Sequence, residues 1–150
     1  GRLLPPLLIG IPLIAIGSPA MAWLYGEADA AWSVAAVSTA TLLTTLGISS
    51  VFSVLSPYPA AHHGASAFDQ PQTAETGAFG AQAGSFLLTL LLTAPTVFLA
   101  WEALFGEVTH TTVVLVGVGT GILILSVGVW LGGRIFDRRR TELLAFTMTY

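Results

Sequence analysis

Long apolar runs alternate with short polar breaks along this chain. Four runs approach or exceed the roughly 20 mostly apolar residues that a spanning helix needs. They cover about residues 3–25, 30–55, 83–104 and 111–131. None shows the period-two alternation of barrel strands, and in lipid only helices and closed barrels satisfy every backbone polar group. The pattern predicts an all-α membrane protein with four transmembrane helices in a single bundle. The breaks Gly26-Glu27-Ala28-Asp29 and Gly106-Glu107-Val108-Thr109 are short, so each joins two runs into an antiparallel hairpin. Asp29 and Thr109 stand where N-caps belong. A polar loop over residues 56–82 separates the hairpins, and residues 132–150 form a tail.

Charge sets a direction on this pattern. The five basic residues are Arg2, Arg134, Arg138, Arg139 and Arg140, all at ends of apolar runs, and there is no lysine. Arginine-rich flanks stay on the cytoplasmic side. Both termini and the 56–82 loop are therefore expected inside, and the tips carrying Glu27, Asp29, Glu102 and Glu107 outside. Trp23, Tyr25, Trp32 and Trp101 would form the outer aromatic belt, with Tyr58, Trp130 and Phe136 near the inner interface. Arg2, the first run and Ala20-Met21-Ala22 imitate a cleavable signal peptide, but Pro5, Pro6 and Pro12 suit a retained span better. The chain begins with Gly1, as a processed protein or a piece of a longer chain would.

Composition narrows the classes. Charged residues make up 9% of the chain and hydrophobic ones 54%, against about 25% charged in soluble domains. A net charge of −3 gives no basic patch for nucleic acid. With no cysteine, disulfides, thiolate metal sites and thiol nucleophiles are excluded. No ionisable residue falls mid-span, which argues against a self-contained proton pump or ion-coupled carrier.

The candidate chemistry is sparse. His62 and His63 with Asp69 and Glu75 supply metal-ligand types, yet adjacent histidines in a proline- and glycine-rich loop lack fixed geometry; no metal or cofactor is expected. Glu102, Glu107 and His110 match no hydrolytic constellation, so no enzyme is expected. Ser38, Thr41, Thr45, Ser49 and Ser53 share one stripe of the second helix. They read either as one wall of a weakly polar pathway or, more commonly, as interhelical and back-bonded hydroxyls. Gly117, Gly121, Gly128 and Gly132 share one face of the fourth helix, which lets another helix backbone approach closely, from this chain or another. Pro12, Pro19 and Pro95 interrupt helices, and Thr93 and Thr96 stand ready to bond groups freed near Pro95.

Two segments carry a resemblance. Ser53-Val54-Leu55-Ser56-Pro57-Tyr58-Pro59 closes the second run and leads into a loop with Ala67-Phe68. Leu131-Gly132-Gly133-Arg134-Ile135-Phe136-Asp137-Arg138-Arg139 and Glu142-Leu143-Leu144-Ala145 follow the fourth. Together they resemble the C-terminal portion of large actinobacterial ABC-transporter permeases of the exporter type. The resemblance implies a transmembrane subunit that depends on a separate cytoplasmic ATPase and on further transmembrane helices from the same or another chain. Those permeases are longer than 150 residues. The chain has no P-loop of its own. Pro57, Tyr58, Pro59, Phe68 and Phe79 are the expected docking residues. The alternative is an accessory or assembly subunit of a larger membrane complex, using the glycine face as its interface.

Overall fold

A computed structural model describes residues 3–55 and 75–148. Those residues form four helices and no strand: α1 (Leu4–Tyr25), α2 (Ala30–Leu55), α3 (Glu75–Leu104) and α4 (His110–Met148). Each contains a stretch long and apolar enough to cross a membrane. Large apolar side chains such as Leu8, Leu13, Ile16, Leu91 and Leu123 remain exposed on the outside of the bundle. Lipid is the surrounding that such a surface requires.

Local sequence explains the boundaries. Pro5 sits in the first turn of α1, where a missing N–H is harmless. Pro12, Pro19 and Pro95 lie inside helices that continue past them. α1 and α3 end in the same way. Gly26 (φ 75°) and Gly106 (φ 79°) adopt the left-handed conformation. The Gly26 N–H donates to the Trp23 carbonyl and the Glu27 N–H to that of Ala22. Gly106 donates to Ala103, and Glu107 to Glu102, in the same two-bond pattern. These are Schellman closures, which require a residue tolerant of positive φ. In both tips the sequence is aromatic-Gly-Glu, and the next helix starts four residues after the glycine.

Two helices outrun their expected ranges. α3 begins at Glu75, not near residue 83, so residues 75–82 belong to a helix and not to the loop. α4 runs to Met148 and takes in most of the expected tail. Hydropathy marks where lipid begins, whereas backbone hydrogen bonding carries a helix on into water. At 1.5 Å per residue, the 39 residues of α4 extend about 58 Å, nearly twice the hydrocarbon thickness.

The most extensive packing joins α2 to α4. Their contacts ascend together along both helices. A Cβ at Gly117 would lie 3.3 Å from the Ala36 carbonyl oxygen, and one at Gly121 3.2 Å from the Ala40 Cα. A Cβ at Gly128 would collide with the backbone of Gly47, and one at Gly132 would come within 2.7 Å of the Ser50 carbonyl oxygen. Gly47 answers from α2, where a Cβ would stand 2.6 Å from the Ile124 carbonyl oxygen. The two helices therefore run in the same direction, backbone against backbone. α3 packs on α2 and, less extensively, on α4. Its Thr96 methyl reaches the Gly117 face. Among the described residues α1 packs on α2 alone, with the Leu42 side chain seated over Gly10. Near the tips Ala36, Ala103 and Val113 form a small buried cluster, flanked by Leu99, Ala100 and Val114.

The seam yields a prediction with opposite signs at neighbouring glycines. Gly128→Ala adds a methyl where a backbone already stands and should destabilise by about 1–3 kcal/mol. Gly133→Ala meets nothing within 4 Å and should be neutral or stabilising by up to about 1 kcal/mol through helix propensity. Reversible unfolding in detergent micelles measures both; equal effects would contradict the packing.

Candidate functional site

Beside the buried Ser18 of α1 and Thr44 of α2, two groups of polar side chains stand out. The first is at the tip end of the α2–α4 seam. Thr109 caps α4, accepting a 3.4 Å bond from the Thr112 N–H, and the two hydroxyls pair at 2.9 Å. Asp29 precedes α2, and its backbone carbonyl takes the Trp32 N–H. His110, the first residue of α4, forms a 2.7 Å hydrogen bond between its Nδ1 and the Ser33 hydroxyl of α2. Ser33 is buried. This bond ties the start of one helix to the other, 77 residues away.

The second is in α3, where Thr89, Thr93 and Thr96 are all buried. They recur at i, i+4 and i+7, the spacing of one helix face. Thr89 donates to the Ser85 carbonyl and Thr93 to that of Thr89. Near Pro95, the Thr93 hydroxyl also lies 3.4 Å from the Leu90 carbonyl. The carbonyl that loses its i+4 donor to Pro95 is Leu91, so Thr93 does not replace that bond. The spacing of these threonines was available in the sequence and marks the α3 face turned inward.

The hydroxyl stripe of α2 lies elsewhere. Thr41 donates to the Val37 carbonyl, Thr45 to Thr41, Ser49 to Leu46 and Ser53 to Ser50. Each hydroxyl is bonded to its own helix, which meets its hydrogen-bonding need without a partner helix. Thr45, Ser49 and Ser53 are exposed, and Thr41 is half-buried. The stripe is turned away from α4, which occupies the opposite face of α2. Ser38 borders an open cavity of about 200 Å³ between α2 and α3, which Ser33, Val34, Val37, Ala100 and Leu104 also line. Its walls are almost wholly apolar.

Gly117, Gly121, Gly128 and Gly132 come together on one face, and that face is covered by α2. Of the docking candidates, Phe79 alone falls among the described residues. Pro57, Tyr58, Pro59 and Phe68 lie outside the described residues, as do His62, His63 and Asp69. Phe79 falls within α3. Among the described residues no three His, Asp or Glu side chains converge on a point that could hold a metal ion.

Comparison with protein-family models, with curated proteins and with solved structures finds no match to this chain.

The Ser33–His110 bond gives the test of this region. Interhelical hydrogen bonds in membranes average about 0.6 kcal/mol. Ser33→Ala should lower stability by about that amount and shift the His110 ring resonances in NMR spectra. A chain with unchanged ring resonances would lack the contact.

Proposed function

We propose that this chain is a membrane-embedded segment of an exporter permease, driven by ATP hydrolysis on a separate cytoplasmic subunit. The observation that carries the reading is the pair of sequence elements around Pro57-Tyr58-Pro59 and Gly132–Ala145, which resemble exporter permeases. Four spanning helices agree with it. So does the reach of α4, which carries its last turns well past the lipid boundary, where a cytoplasmic subunit could touch them. The uncovered apolar outer faces leave room for the further helices that a complete pathway needs.

In this reading the helices form two antiparallel hairpins with both termini in the cytoplasm, as the arginine distribution requires. The alternative, an accessory subunit, was to dock through the glycine face. That face is already filled by α2, so an accessory subunit would need another surface.

Two experiments test the reading. The chain has no cysteine, so single introduced cysteines report topology without background. Glu27→Cys and Glu107→Cys should react with a membrane-impermeant maleimide on intact cells, and Arg138→Cys only after lysis. Reaction of Arg138→Cys on intact cells overturns the orientation. Purification in mild detergent should recover a stoichiometric ATP-binding subunit. Replacing residues 57–74 with a Gly/Ser linker should release it while leaving the α3 helix intact. Recovery with non-ATPase membrane subunits alone overturns the exporter reading.

A further inference from the structure

The arginine end of α4 is built differently from the tips. The Arg134 guanidinium lies over the Trp130 indole, 5.1 Å from the ring centroid. Arg138 follows one turn later on the same stripe. Trp130, Arg134 and Arg138 are all exposed. Gly133 leaves bare helix surface beside them, with nothing within 4 Å of where a Cβ would stand. Asp137 is exposed on the next turn and offsets part of the charge; Arg139 and Arg140 add two more positive charges to this stretch of sequence.

The axial position of these groups matters. Trp130 lies 20 residues beyond His110, an axial rise of about 30 Å, equal to the hydrocarbon thickness. Arg134 and Arg138 lie about 6 and 12 Å further along the axis. With His110 at one lipid boundary, Trp130 reaches the other, and both arginines fall in the headgroup layer. A guanidinium stacked on an indole keeps its donor edge free, and that planar fork matches a phosphate.

We propose that Trp130, Arg134 and Arg138 form a binding site for the phosphate of an anionic phospholipid headgroup, in the leaflet at the C-terminal end of α4. The stacked Arg134 supplies a preorganised pair of donors, Arg138 supplies the second positive charge, and the indole lies at the acyl boundary beneath them. Two arginines against one carboxylate favour a lipid with net negative charge over a zwitterionic one. The proposal rests on the membrane-spanning reading but not on the exporter reading, so loss of the ATPase partner would leave it standing.

The test uses the full chain in phosphatidylcholine vesicles containing phosphatidylglycerol. Trp23→Phe, Trp32→Phe and Trp101→Phe leave Trp130 as the only indole. Lipids brominated near the headgroup quench a tryptophan that they touch. Brominated phosphatidylglycerol should quench Trp130 more than brominated phosphatidylcholine at equal mole fraction. The preference should fall roughly fivefold with each of Arg134→Gln and Arg138→Gln. Arg134→Lys, which keeps charge but loses the fork, should retain only part of it. Native mass spectrometry of the unaltered chain, counting retained lipids, gives the same comparison without any tryptophan change. Equal quenching by the two lipids overturns the proposal. Displacement of the brominated lipid by inorganic phosphate at matched ionic strength would assign the site to soluble phosphate instead. Loss of a protein partner in the arginine variants with no change in lipid preference would assign it to protein docking; either result sinks the lipid site.

Discussion

Everything in this bundle hangs on how closely two backbones approach along the α2–α4 seam. Between helices in lipid there is little hydrophobic gain, because the acyl chains outside are as apolar as the side chains inside. What remains is dense packing, and density is greatest where side chains are absent. Gly117, Gly121, Gly128 and Gly132 on α4 meet Ala36, Ala40, Gly47 and Ser50 on α2. Small residues stand opposite small residues over about 22 Å of a hydrocarbon layer roughly 30 Å thick. α3 then fits its buried threonine face beside the pair, and among the described residues α1 attaches to α2 alone. The buried residues are correspondingly small, mostly alanine, threonine and serine with Val113, Leu46 and Ile48 among them, while most other large apolar side chains face outward.

The positions of the spans could be read from the chain because lipid imposes one strong rule on composition. Residues 30–55 and the turns at Gly26 and Gly106 emerge as the pattern implies. The ends at Glu75 and Met148 do not, since nothing in an apolar count records a helix that continues through water. Gly77 and Gly80 also weaken the helical signal of the stretch before Ala83.

The glycine face of α4 was legible as a packing surface; its partner was not, because a smooth face carries no address. Ala36, Ala40 and Gly47 have meaning only once they are seen opposite it. The serine and threonine stripe shows a different ambiguity. Periodicity locates Thr41, Thr45 and Ser49 on a common face but cannot tell whether the hydroxyls point at a neighbour or fold back on their own carbonyls. The Ser33–His110 bond spans too much sequence for any local pattern to reveal. The threonines of α3 were within reach of the same spacing argument that was applied to α2.

The unbroken length of α4 gives the bundle a lever. Its glycine seam ends near Gly132, while the helix continues to Met148 without a proline. A straight helix transmits tilt along its whole length. Taking the seam's midpoint near residue 125 as the fulcrum, a tilt of about 10° moves the far end sideways by roughly 6 Å. A displacement of that size is larger than the diameter of a water molecule, so a slight rearrangement among glycines in the middle of the membrane becomes a full side-chain step at its rim.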